Sequence, residues 1–94
     1  MGEHFERAAF DRLTTLYVTG AHEFALHHYA APPRIEVVLQ PGYWNSLARW
    51  LHVGNRIMVT GPEGAIDLHV ARSHDGVVTV AMVARTALVA DGYV

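Results

Sequence analysis

Histidine is the residue type with the widest chemical use in this chain, because its imidazole binds metal ions and moves protons near neutral pH. The 94 residues include seven histidines, of which His22, His27 and His28 form the densest group. Their spacing matches no established ligand pattern, and neither an HExxH motif nor a carboxylate placed to complete a facial triad accompanies them. A metal-binding module or metal-dependent enzyme centred on these three residues is an alternative hypothesis, while the sequence favours no metal and no cofactor.

An acid and an imidazole stand two residues apart at Asp67 and His69, and on a strand both would point to the same side. The apolar residues that alternate with them, Ile66, Leu68 and Val70, indicate an amphipathic strand whose polar side meets solvent. The chain has no GxSxG motif, no cysteine and no lysine, so it lacks a serine elbow, a thiolate nucleophile and the lysine of a phosphate loop. We predict that it is not an enzyme.

The most aromatic stretch is PGYWNSLARW, residues 41–50, which holds both tryptophans of the chain and Tyr43. Exposed rings on strands can stack on nucleic-acid bases, but at helical spacing these rings share one apolar side. We therefore predict that Trp44 packs in the core. Tyr43 and Trp50, at the border of the apolar side, are predicted to lie at the core rim or to contact a partner.

Nucleic-acid binding is a second alternative, in which Arg49, Arg56 and Trp50 of a small barrel would hold the ligand. The chain carries seven basic and nine acidic residues, for a formal net charge of −2. A domain that binds phosphates usually has a positive balance, so we expect no nucleic-acid partner.

Apolar residues are more abundant than a domain of this length can hide. Hydrophobic types make up 51% of the chain and charged residues only 17%, against about 25% charged in typical domains. Small domains have proportionally more surface, so part of this apolar surplus must face another protein, and we predict a homo-oligomer or a stable complex. No apolar run reaches the ~20 residues of a membrane span, and the N-terminus has charges where a signal peptide is apolar. A soluble protein with no membrane partner is therefore expected.

We predict a single domain over 1–94. Its first part, 1–33, is expected to begin with a short helix that passes into a strand over residues 3–17. A loop or arm would follow and end at Pro32-Pro33, since paired prolines do not fit inside a regular element.

The body of the domain is predicted over 34–86, followed by a tail at 87–94. The alternation in RIEVVL, residues 34–39, favours a strand. A short amphipathic helix is expected over 41–54, since proline near the first turn and glycine after the last one are typical helix boundaries.

Two turns with strong local signals divide the rest of the body into three antiparallel strands. GPEG, residues 61–64, carries proline and glycine where a turn favours them, and Asp75-Gly76 is typical of a tight hairpin. The predicted fold class is mainly β, within the α+β type. We expect a small twisted antiparallel sheet or a partly open barrel of the SH3-like or OB kind, with one short amphipathic helix.

The pattern L-x-P-x-Y-W, a short helix, L-x-x-G-x-R-I-x-V, a glycine turn and L-x-V resembles small uncharacterised proteins from the structural-gene regions of tailed bacteriophages. The match covers about residues 40 to 83, less than half of the chain, and departs from the pattern at Asn55, where aspartate is expected. The resemblance also implies a helical turn over 34–39 as the alternative to a strand. The matching residues are Leu39, Pro41, Tyr43, Trp44, Leu51, Gly54, Arg56, Ile57, Val59, Gly64, Leu68 and Val70.

This resemblance implies a non-enzymatic component of the virion, assembled in the host cytoplasm. A capsid decoration or cement protein is the first expectation, and a tail-associated module is another. The partner implied is the major capsid protein, another virion protein or a second copy of the chain.

A partner interface is predicted on two parts of the chain. The arm from Phe24 to Tyr29 would lie across a neighbouring protein and order on contact, and the rings at the border of the helix would add to it. The predicted interface residues are Phe24, Leu26, His27, His28, Tyr29, Tyr43 and Trp50.

Overall fold

The computed structural model describes residues 6–20 and 24–87, and these residues form one five-stranded sheet with the strands in chain order. Three short 3₁₀ helices accompany the strands: η1 (Phe10–Arg12), η2 (Ile35–Leu39) and η3 (Tyr43–Leu47). The mainly β class is therefore confirmed. The strands are β1 (Leu13–Val18), β2 (Phe24–Ala30), β3 (Arg56–Gly61), β4 (Gly64–His74) and β5 (Val77–Ala87).

The sheet is open and mixed, and it is consistent with the small twisted sheet or partly open barrel that was predicted, except that one strand pair is parallel. Three neighbouring pairs are antiparallel, but β2 and β3 run parallel, from Leu26 opposite Arg56 to Ala30 opposite Thr60. Parallel strands need a crossover connection. Residues 31–55 form this crossover, carry η2 and η3, and pack against one face of the sheet.

The segment predicted as a loop or arm is strand β2, which lies inside the sheet between β1 and β3. Its alternate residues Ala25, His27 and Tyr29 are buried beneath the crossover. The period of two was hard to read in the sequence because apolar residues such as Leu26 stand on the opposite face and a histidine stands on the buried one. Residues 21–23 lie outside the described part.

The helix predicted over 41–54 is absent, and η3 with its flanking turns replaces it. Gly42, which precedes η3, has a left-handed backbone with φ of 86°, so no helix can run through residues 41–43. The apolar residues of this stretch are nevertheless buried, including Leu47 and Leu51. Over 34–39 the alternative of a helical turn is confirmed by η2, and upstream of β1 the described part of 3–17 contains only the three-residue η1.

Both predicted hairpin turns are confirmed. Gly61 pairs with Gly64 across the turn between β3 and β4. Between β4 and β5, Asp75 and Gly76 both have positive φ, 53° and 78°, as a two-residue turn that follows the twist of the strands requires. Of the predicted tail, only Ala87 lies within the described residues, at the end of β5.

The core lies between the crossover and the covered face of β2, β3 and β4. At its centre Trp44 packs edge-on against Tyr29 and Tyr43, with ring centroids 4.7 and 5.2 Å apart. The Trp44 indole N–H donates to the carbonyl of Val38 at 2.9 Å. The prediction that Trp44 belongs to the core is confirmed.

The two buried tyrosines share a hydrogen bond, with their hydroxyl oxygens 2.9 Å apart. The backbone N–H of Ala9 donates to the Tyr29 hydroxyl at 2.9 Å, which ties the segment before β1 to the core. Burial raises the pKa of the Tyr43 phenol well above its ordinary value, and the hydrogen bond with Tyr29 raises it further.

We expect the Tyr43 phenol to make the fold sensitive to alkali. The unfolded chain ionises this group near pH ~10 while the folded chain holds it neutral, so stability is fully present below that pH and falls above it. Tyr43→Phe should lower the free energy of unfolding by about 1 kcal/mol at neutral pH and make the alkaline decline shallower. Urea unfolding between pH 7 and 11.5 measures both effects. The exposed-ring change Tyr17→Phe is the control, and a Tyr43→Phe decline as steep as the parent's would contradict the expectation.

Candidate partner surface

The face of the sheet opposite the crossover carries a row of apolar side chains. Pairing of β1 with β2 places Leu16 beside Leu26 and Val18 beside Phe24 on this face, and Met58 of β3 lies on it as well. Leu16 is 60% exposed, Phe24 45% and Met58 41%. Among the described residues, no element packs over this row, which we call the apolar strip (Leu16, Val18, Phe24, Leu26 and Met58).

Polar side chains border the apolar strip on β2, β3 and β4. His28 and Thr60 share a hydrogen bond of 2.7 Å between Nε2 and Oγ1. Arg56 and Asp67 approach to 4.0 Å at about 40% exposure of each side chain, which is a weak surface contact. An apolar centre with a polar border is the usual composition of a protein–protein interface.

The structure divides the predicted interface residues into two groups. Phe24 and Leu26 belong to the apolar strip, and His28 borders it. His27, Tyr29 and Tyr43 are buried in the chain's own core, so they offer no surface to a partner.

Trp50, the seventh predicted interface residue, is half-buried at the rim of the core. Its ring lies 4.5 Å from that of Phe10, and the Arg49 guanidinium lies over it at 5.3 Å from the centroid. Trp50 therefore packs on the covered side of the sheet and does not join the apolar strip.

Sequence reasoning missed three members of the apolar strip: Leu16, Val18 and Met58. These side chains are exposed because the pairing of β1 and β3 with β2 places them on the uncovered face of the sheet. The alternation of LTTLYV in β1 was a weak available signal, because it separates Leu16 and Val18 from Thr15 and Tyr17.

His27 is held on both ring nitrogens by buried or half-buried side chains. Its Nε2 lies 3.0 Å from Asn55 Oδ1, which also accepts the His52 backbone N–H at 3.1 Å. Since that oxygen accepts, Nε2 carries the proton, and Nδ1 accepts from the Thr15 hydroxyl at 2.8 Å. This arrangement fastens β1 and β2 to the end of the crossover.

The histidines and acidic residues considered for metal binding or acid–base chemistry do not meet at one site. His27 and His28 are neighbours on a strand and point to opposite faces of the sheet, and His22 lies outside the described residues. Within residues 6–20 and 24–87, no group of three His, Asp or Glu side chains is arranged to hold a metal ion. His74 lies 3.2 Å from Asp75, but both are fully exposed in the β4–β5 turn.

The arginines of the nucleic-acid alternative are also separated. Arg49 lies on Trp50 on the covered side of the sheet, whereas Arg56 extends from the uncovered face toward Asp67. A backbone-tracking groove needs several cations on one surface. Arg49, Arg56 and Trp50 do not form such a surface.

Comparison of the chain with protein-family models, with curated proteins and with solved structures finds no match in any of the three. Among the described residues, no helix has the length and apolar character needed to cross a membrane.

The neighbours His27 and His28 offer a matched test of this geometry. His27→Ala should lower the free energy of unfolding by about 2–4 kcal/mol, because it empties a buried position and removes two hydrogen bonds. His28→Ala, on the exposed face, should change it by less than about 0.5 kcal/mol. Urea denaturation followed by tryptophan fluorescence compares the two variants. Equal losses would contradict the arrangement around Asn55.

Proposed function

We propose that the chain is a non-enzymatic structural protein of a tailed-phage virion, most simply a decoration or cement protein that binds capsid subunits. The observation that carries the proposal is the apolar strip on the uncovered face of the sheet. The resemblance of residues 40 to 83 to small virion proteins supports the identity of the partner.

The energetics of the apolar strip favour a protein partner. Removing apolar surface from water contributes about 1 kcal/mol for every ~40 Å² covered. Leu16, Phe24 and Met58 are each about half exposed, so a flat partner surface that covers them gains several such contributions. Exposed apolar patches on soluble domains commonly mark binding sites for other proteins.

The residues that carry the resemblance are mainly those that build the scaffold. Tyr43, Trp44, Leu51, Ile57 and Val59 are all buried. The apolar strip lies on residues at which the pattern makes no demand. The chain therefore shares its buried framework with the small virion proteins, while its uncovered face is adapted to one particular partner.

No residue receives a catalytic role in this proposal. Asp67 and His69 lie on the uncovered face of β4, and the Asp67 carboxylate is directed toward Arg56. Their place at the border of the apolar strip supports a contribution to solubility and to the orientation of the partner.

The double variant Phe24→Ser with Leu26→Ser should reduce binding to tailed-phage particles that lack the chain by about tenfold or more, since it removes two large apolar contacts. Co-sedimentation of purified protein with such particles gives the bound fraction. Val53→Ser, at an exposed apolar residue of the crossover, is the matched control and should bind as the parent does.

Far-UV circular dichroism checks that the double variant keeps its sheet. Unchanged co-sedimentation of a folded double variant would refute the assignment of the apolar strip. Absence of co-sedimentation for the parent chain would refute the virion proposal itself.

A further inference from the structure

The last strand, β5, is long, apolar and paired on one side. It spans Val77–Ala87 and contacts β4 along its length. All its side chains from Ala81 to Thr86 are exposed, with Met82 at 52% and Val83 at 54%. Within the described part of the chain, β5 is an edge of the sheet.

A hydrogen bond at the start of β5 shows which backbone groups face outward. The Val78 N–H donates to the Asn45 side-chain oxygen at 2.9 Å, so it points away from β4. Alternate residues of an antiparallel edge strand share this direction, which turns the N–H and C=O groups of Val80 and Met82 outward as well. In the part of the chain that the structure describes, no hydrogen bond from the crossover reaches those groups.

The crossover covers only the first part of this edge. The Asn45 side-chain oxygen accepts from the Val78 N–H. Beside this contact, a pocket of about 230 Å³ lies between residues 39–42 and Trp44 of the crossover and residues 77–80 of β5. From Val80 to Ala84, no described residue outside β4 pairs with this edge. Edge strands are usually protected by lysine, by proline or by inward charges.

Those protections are largely missing from β5. The sequence from Val77 to Ala84 contains no charged residue and no proline. Arg85 brings the first charge, and its guanidinium is already bound to Glu36 at 3.2 Å. The pairing with β4 has two register shifts, one beside Val83 and one between Val70 and Arg72. The second places its extra residue on β4, so the alternation of β5 from Val78 to Met82 continues unbroken.

We propose that β5 pairs antiparallel with β5 of a second copy of the chain about a two-fold axis, which joins two sheets into one. Two copies of β5 can pair favourably, because the strand is apolar on both faces and the pairing brings no like charges together. A two-fold pairing uses one patch on both copies and leaves no further β5 edge to extend the assembly. This inference goes beyond the proposed function, since it uses the edge of the sheet and not the apolar strip.

Two methionine-to-lysine changes separate the edge from the face. Sedimentation velocity over a concentration series should show a monomer–dimer equilibrium for the parent chain. Met82→Lys, at the open edge, should weaken dimerisation by about tenfold or more, while Met58→Lys, in the apolar strip, should leave it unchanged. Circular dichroism checks that both variants are folded. A parent chain that stays monomeric at every concentration, or a folded Met82→Lys that dimerises as the parent does, overturns the proposal.

Disulfide trapping tests the geometry, and the chain suits it because it has no cysteine of its own. Single cysteines are placed in turn at residues 79–83 and oxidised mildly. The disulfide yield should be highest at the residue nearest the two-fold axis of the dimer and low at a residue two positions further along β5. Parallel pairing would give cross-links of similar yield along the strand. Thr14→Cys on the other edge strand is the control, and cross-linking there as strong as on β5 overturns the assignment.

The two proposals fail separately. Loss of dimers with intact particle binding refutes the edge pairing alone. Intact dimers with no particle binding refute the virion proposal alone.

Discussion

Parallel pairing of β2 with β3 is the constraint on which the rest of the structure depends. Two parallel neighbours cannot be joined by a tight turn, so the chain must carry residues 31–55 from one end of the sheet to the other. This crossover packs on one face only. It therefore forms the core on that face, and among the described residues it leaves Leu16, Phe24 and Met58 exposed on the opposite face.

The crossover contains no α-helix, so its backbone forms short 3₁₀-type hydrogen bonds within its turns, and side chains add further bonds. Asn45 accepts from the Val78 N–H, Asn55 accepts from the His52 N–H and from His27, and the Trp44 indole donates to the Val38 carbonyl. Among the described residues, no buried side-chain nitrogen or oxygen lacks a partner. The side chains of two asparagines thus fasten the crossover to β5 and to β2.

Local features of the structure could be predicted from the sequence, and features set by distant pairing could not. The turns at 61–64 and Asp75-Gly76 follow from residues that are neighbours in the chain, and the burial of Trp44 follows from its apolar surroundings. Strand β2 pairs with the nearby β1, but its place inside the sheet depends on β3, which begins only at Arg56, so the local pattern predicted an arm. The same limit applies to the candidate surface. The segment from Phe24 to Tyr29 was predicted as a contact arm, but only the pairing register shows that His28 faces outward and His27 inward.

The separation of β2 and β3 along the chain also bears on how the protein emerges from the ribosome. The hairpin of β1 and β2 leaves the exit tunnel first, and a two-stranded hairpin is marginal by itself. At about 5–20 residues per second, its parallel neighbour follows a few seconds later. During that interval Tyr29 and His27 have neither β3 nor the aromatic cluster over them. These two side chains are thus covered only after β3, which ends at Gly61, has emerged from the ribosome.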